Sequence, residues 1–278
     1  MAEILLILLL LFLLSVGTPV AFALALSGIV GMTMVAEWST AVSLMSLLPH
    51  RIVATYVLIS VPIFLFFGYL AERTGIITGT FNAAKLWVGS APGGLGVATT
   101  LASGVFAAAS GSSISSCVIF GRLAVPEMNR AGYSRSISLG IVASAGVLAS
   151  TIPPSLTLIL YGMLSETSVI RLFTAGFIPG LLQMVALIAT IWILYRLKRK
   201  HFPSGGDIAR VGWGERVRSL SGVWPVVLVA VAILASIYMG IATVTESAAA
   251  GVVVALAIIF IQRKGSWGLL WESARSTA

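Results

Sequence analysis

Eight long apolar runs restrict this chain more than any other feature, at about 4–16, 19–36, 53–71, 95–121, 137–163, 172–195, 222–241 and 246–262. A helix needs roughly 20 apolar residues to cross the hydrocarbon core of a bilayer. Backbone in lipid must pair its polar groups internally, so such runs cross as helices. They are continuous rather than short and alternating, which argues against a β-barrel. Only 9% of the 278 residues are charged, against about 25% in a soluble domain. The expected fold is therefore an all-α polytopic membrane protein, with residues 1–278 forming one membrane domain. The N-terminus is not expected to be a cleaved signal peptide. Its first charge is Glu3 and the apolar sequence continues past residue 30. One cysteine, Cys117, excludes an internal disulfide framework and a cysteine-based zinc site. The net charge of +8 is not a nucleic-acid footprint, because the basic residues do not form a soluble face.

Their placement reports topology instead. The one long hydrophilic loop, 196–221, holds Arg196, Lys198, Arg199, Lys200, Arg210, Arg216 and Arg218, so it is expected on the cytoplasmic side. Counting spans outward from it places Arg122, Arg130, Arg135, Arg263 and Lys264 on that side too. If 95–121 enters and leaves by one face, Arg73 and Lys85 join them. Of the 17 basic residues only Arg51 and Arg171 are then left outside.

That sorting requires 95–121 to be a re-entrant hairpin. The local sequence agrees: APGGL opens it, SGSS lies at its middle and VPEMNRAGY follows it. Non-helical backbone at membrane depth survives only where it lines a protein cavity. A second break is written into 137–163, where STIPPSL places Pro153 and Pro154 inside an apolar helix. Each proline removes a donor and disrupts the bond to the carbonyl one turn earlier. A hairpin tip and a broken helix in one bundle are the signature of a midplane site in secondary transporters. A faint internal repeat points the same way. GTPVAFALALSG (17–28) can be laid on ATVTESAAAGVV (242–253), pairing Thr18 with Thr243, Ala23 with Ala248 and Ala25 with Ala250. The two helix pairs run in opposite senses in this topology, as in an inverted repeat. Residues 1–195 are then the first repeat, 196–221 the cytoplasmic loop, and 222–278 the start of an incomplete second repeat.

The bland readings compete with the site reading. Serine and glycine also let helices pack closely, which accounts for Ser103 and Gly104 but less well for Ser, Gly, Ser and Ser in succession at 110–113. A serine nucleophile needs a base within hydrogen-bond reach. His50 and His201 fall in loops on opposite faces, lysine is absent from the spans, and the only aspartate, Asp207, is in the loop. Paired-carboxylate chemistry has no second acid, so no enzyme is expected. TVTE at 243–246 fits a capping box. Glu127 and Arg130 are expected in a solvated turn, Tyr133 and Trp87 as interfacial anchors, and Cys117 as a small buried residue. No charged side chain remains in the membrane to hold an anion. Half-helix N-termini suit anions, and freed carbonyls and hydroxyls suit a hard cation. Together they suggest an anionic solute coupled to Na⁺.

Five stretches in register carry a family resemblance: SVPIFLFFGYL (60–70), ASGVFAAASGSS (102–113), VPEMNRAGY (125–133), IPPSLTLILYG (152–162) and LFTAGFIPG (172–180). The chain resembles the DctM-like large permease subunit of tripartite ATP-independent periplasmic (TRAP) transporters. The resemblance implies a multi-pass secondary transporter of the bacterial inner membrane, with two inverted repeats, two hairpins and an elevator-like transport domain. It implies Na⁺ as coupling ion, no other cofactor, and organic acids such as C4-dicarboxylates as substrates. It implies a small membrane subunit and a periplasmic substrate-binding protein as partners. Carried over residue by residue, its first sodium site falls on Ser110, Ser113, Ala149, Ile152 and Pro154, mainly through backbone carbonyls. Ser112 and Ser155 are the neighbouring hydroxyl candidates for substrate. Ala149 stands where the family usually has glycine, and Val244 where it has the proline of TPTEAAA. The family's second hairpin, broken helix and ion site have no counterpart within the 278 residues, so the chain is expected to be the N-terminal portion of a longer subunit. Two alternatives are an organic-anion carrier that works without a binding protein and a non-transporting membrane scaffold.

Overall fold

The computed structural model describes residues 2–36, 38–203, 212–263 and 266–277, and all regular structure among them is helical. Asp207, Arg210 and Lys264 lie outside the described residues. The chain divides into two compact units, Met1–Thr55 and Tyr56–Ala278.

The first unit holds α1 (Ala2–Ser15), α2 (Val20–Val35) and α3 (Trp38–Val53). The chain turns between α1 and α2 at Gly17, whose φ is +86°. Leu5, Leu8, Phe12, Phe22 and Leu24 are all exposed in this unit. Helices apolar on every face are membrane helices. No long apolar run covers 37–52, and the expectation that His50 falls in a loop is corrected here, since His50 lies within α3.

The second unit opens with a 3₁₀ turn at Tyr56–Ile59, then α4 (Ser60–Arg73) and α5 (Ile76–Val88), bent by 65° from each other. The expectation of one span over 53–71 is corrected here. The helix proper begins at Ser60, and Gly75, with φ +73°, lets the chain turn into α5. That second helix is not evident from the sequence, because Thr78, Thr80, Asn82 and Lys85 break its apolar pattern. Helices α6 (Gly94–Ser110) and α7 (Ser113–Arg130) follow, then α8 (Arg135–Gly146), the single turn α9 (Leu148–Thr151), α10 (Leu156–Leu164) and α11 (Val169–Leu197). The remainder is α12 (Trp213–Ser219), α13 (Trp224–Tyr238), α14 (Val244–Ile261) and α15 (Trp267–Thr277). Thr243 and Glu246 form the expected capping box at the start of α14.

Helix α6 is buried along nearly its whole length, among α5, α7, α8, α9, α11 and α13. Phe120 of α7 packs edge-on against Phe106 at 6.3 Å and Phe81 at 6.5 Å. Between helices in lipid the hydrophobic drive is lost, and close packing and polar contacts hold the bundle instead. The sequence supplies both. Gly146 lies so close to Cys117 that an added Cβ would sit 2.1 Å from its Sγ. Ser103 Oγ donates to the Ala145 carbonyl at 2.9 Å, so the Ser103–Ser116 hydroxyl contact, also 2.9 Å, must take its proton from Ser116.

Charge collects at the end of α7 away from the hairpin tip. Lys85 pairs with Glu127 at 2.8 Å and Arg122 with Glu72 at 3.1 Å, while Arg73 pairs with Glu272 of α15. Glu127 therefore belongs to helix α7 and is bound, not solvated in a turn. Tyr133 is buried against Phe202 rather than anchored at an interface. The Ser134 N–H donates to the His201 carbonyl at 2.9 Å, bringing the basic run after α11 to the same end. Trp87 donates its indole N–H to the Arg216 carbonyl there.

Candidate functional site at the hairpin tip and the helix break

Helix α6 runs for 17 residues, which is about 25 Å at 1.5 Å per residue. The 29 residues of α11 reach about 43 Å. The hairpin therefore turns back well short of the length of its long neighbour. Its turn is two residues. Gly111 has φ +62°, and Ser112 is extended and caps α7, its Oγ accepting the Ser115 N–H at 3.3 Å. Ser103 and Ser116, on opposite arms, are hydrogen-bonded, which fixes the arms in antiparallel register.

The second segment stops after a comparable length. Helices α8 and α9 run from Arg135 to Thr151, and the pair bends 46° into α10 across residues 152–155. Pro153 and Pro154 have no N–H, so the carbonyls of Ala149 and Ser150 have no helical donor four residues on. The Ser150 carbonyl is satisfied instead by Ser155 Oγ at 2.8 Å. Ser155 also caps α10, its Oγ accepting the Leu158 N–H at 3.4 Å.

The two breaks meet. The Leu156 N–H donates to the Gly111 carbonyl at 3.0 Å. A Cβ on Gly111 would lie 2.7 Å from the Pro154 carbonyl oxygen, so the approach requires glycine as strongly as the positive φ does. Ala107, Leu148 and Ala149 pack in one buried cluster just behind this contact. Two helix C-termini and two N-termini thus converge, each pair presenting carbonyls and N–H groups that the helices leave unpaired.

Each residue expected at the site lies in these two segments. Ser110 ends α6, fully buried, and its Oγ has no hydrogen-bond partner. Ser112 and Ser155 are buried N-caps, Ser113 opens α7 half-buried, Ala149 is buried in α9, and Ile152 and Pro154 form the break. Other residues matter that sequence reasoning passed over. Gly176 and Gly180 of α11 press on the break, where a Cβ would meet the Thr151 carbonyl at 2.9 Å and Ile152 Cγ1 at 2.8 Å. Their four-residue spacing is the small-residue packing signal. Gln183 accepts the Thr151 hydroxyl at 2.7 Å, tying the same turn to α11. Gly111 itself was in plain view within SGSS.

The fold and its polar centre define a class: an all-helical integral membrane protein whose buried polar side chains, among the described residues, are serines and threonines. The family model described as "Tripartite ATP-independent periplasmic transporter, DctM component" matches residues 6–278, and the chain belongs to that family, which is one of transporters rather than enzymes. The chain is 37% identical over 209 residues to the C4-dicarboxylate TRAP transporter large permease protein DctM of Pseudomonas aeruginosa, covering 75% of this chain and 48% of that protein. It is 36% identical over 222 residues to the ectoine/5-hydroxyectoine large permease protein UehC of Ruegeria pomeroyi (79% and 50%). It is 33% identical over 201 residues to the sialic acid large permease protein SiaM of Vibrio cholerae (72% and 46%). The chain spans about half the length of these curated relatives.

Proposed function

We propose that this chain belongs to the large membrane subunit of a Na⁺-coupled secondary transporter in a bacterial inner membrane. It imports organic acids of the C4-dicarboxylate kind, delivered by a periplasmic binding protein, and works with a small membrane subunit. The hairpin at about 95–121 is re-entrant, and residues 1–195 and 222–278 belong to two inverted repeats of one membrane domain. The observation that carries this reading is the meeting of tip and break at Gly111 and Pro154, with the Ser110 hydroxyl buried and unpartnered beside it.

The donor set suits a hard cation: a hydroxyl from Ser110 and carbonyls from Ser113, Ala149, Ile152 and Pro154. The Ala149 carbonyl is the plainest member, since Pro153 deprives it of a helical donor. A site of neutral oxygens favours a monovalent ion that can be released again, as coupling requires. The N-termini of α7 and α10, capped by Ser112 and Ser155, favour the carboxylate of a bound acid. The relatives named above carry three different substrate names, so the acid is assigned by chemical class only.

Uptake in proteoliposomes tests the reading. The subunit produced from its whole gene is reconstituted with its small partner and binding protein, and labelled organic acids are offered with and without an inward Na⁺ gradient. Uptake that needs both the gradient and the binding protein, and falls when Ser110 or Ser113 is made bulky, is the expected result. Uptake independent of both would replace this reading with a binding-protein-free carrier.

A further inference from the structure

The outward face of α11 is apolar from Phe177 to Ile193, with Phe177, Ile178, Leu182, Val185 and Ile193 more than half exposed. The helix is long and apolar enough to cross a membrane. At its last turns the chemistry changes. A cavity of about 610 Å³ opens there, lined by Pro92, Ala189, Trp192, Tyr195, Arg196 and Arg199. The Arg199 guanidinium lies over the Tyr195 ring, 5.5 Å from its centroid, which holds one cation in the wall. The ion pairs among the described residues engage Glu72, Glu127 and Glu272, and none involves Arg196 or Arg199. The opposite wall is fixed as well: a Cβ on Gly93, next to Pro92, would meet Ile191 Cγ2 at 2.9 Å.

Trp and Tyr settle at the level of lipid headgroups. Basic pockets at the ends of membrane helices hold anionic headgroups, and the planar guanidinium matches a phosphate with two parallel donors. Here two arginines with no acidic partner among the described residues stand at the end of an exposed apolar face, with a tryptophan at the boundary. We infer that this cavity binds one anionic glycerophospholipid, its phosphate held by Arg196 and Arg199 and its acyl chains lying along the outward face of α11. The inference rests on α11 lying in a bilayer and is independent of the transport reading.

Brominated lipids quench tryptophan on contact, so the site is read at Trp192 as the difference between the wild type and W192F. The full subunit is placed in phosphatidylcholine bilayers containing a small fraction of brominated phosphatidylglycerol or, separately, brominated phosphatidylcholine. The Trp192 emission is expected to be quenched preferentially by the anionic lipid. R196Q/R199Q weakens that preference by about fivefold for each arginine removed. K198Q/K200Q removes the same charge outside the cavity and leaves the preference in place. R196K/R199K, which keeps charge but loses the fork, falls between and serves if the neutral pair fails to fold. Equal quenching by the two lipids in the wild type overturns the inference. So does an equal loss in the arginine and lysine pairs, which would mean a general surface charge rather than a site.

Discussion

At the hairpin tip the chain reverses through Gly111 at φ +62°, whereas at the helix break it bends by only 46° through two prolines. Each junction ends one helix and starts another with a serine N-cap, Ser112 in one and Ser155 in the other. They differ in where their polar groups go. The break is internally satisfied on its serine side, with Ser155 giving its proton to the Ser150 carbonyl. The tip leaves the Ser110 hydroxyl without a partner. A buried hydroxyl without a partner costs roughly 1–3 kcal/mol, so one that persists beside a helix break is either a defect or a ligand. The contrast gives geometry to Gly111 and the prolines and folding stability to the two caps; ion contact by Ser110 is the part that belongs to the proposed function.

Substitution at Gly111 is expected to break the comparison most completely. G111V forces a β-branched residue into a conformation that costs about 1–3 kcal/mol, and its Cβ would press on the Pro154 carbonyl. Transport should fall below detection and the melting temperature should drop; a variant with ordinary uptake would show that tip and break need not touch. Next comes P153A, which restores an N–H opposite the Ala149 carbonyl. If that carbonyl binds sodium, re-forming the helical bond removes a ligand worth about 1.4 kcal/mol, roughly tenfold in the half-saturating Na⁺ concentration of uptake. An unchanged Na⁺ dependence would remove Ala149 from the site. S110A sharpens the contrast further, because its two consequences have opposite signs. Losing an unsatisfied hydroxyl stabilises the sodium-free protein by about 1 kcal/mol, while Na⁺ affinity falls severalfold. Stabilisation without any change in Na⁺ dependence would make Ser110 a packing residue. The smallest effects belong to the caps. S112A and S155A each cost about 1 kcal/mol of stability, with S155A the larger because it also strands the Ser150 carbonyl. Thermal unfolding of the purified subunit orders the two.

The hairpin and the break were legible for a physical reason. SGSS and IPP are local interruptions of apolar sequence, and an interruption at membrane depth has few solutions. Of the caps only the Thr243–Glu246 box was legible, as an S/T-x-x-E pattern; Ser112 and Ser155 stood out in the sequence as hydroxyl candidates for substrate, and their capping role emerges from the fold. Helix α5 was not, because Thr80, Asn82 and Lys85 lower its hydropathy while its other face packs on α6. Nor was the pairing of Lys85 with Glu127, 42 residues apart, which turns a solvated-looking acid into a helix-to-helix tie. Contacts such as Leu156 N–H to the Gly111 carbonyl join backbone atoms, and backbone atoms are the same at every position. Sequence marks where such groups are set free, and only the fold shows where they meet.

Equilibrium binding of radioactive sodium to the purified full-length subunit, with potassium as competitor, tests the central claim most directly. The account predicts saturable binding that potassium does not displace, weakened by P153A and by S110L, and left intact by K198Q/K200Q at the far end of the bundle. Sodium binding that survives both site substitutions at full strength would contradict it.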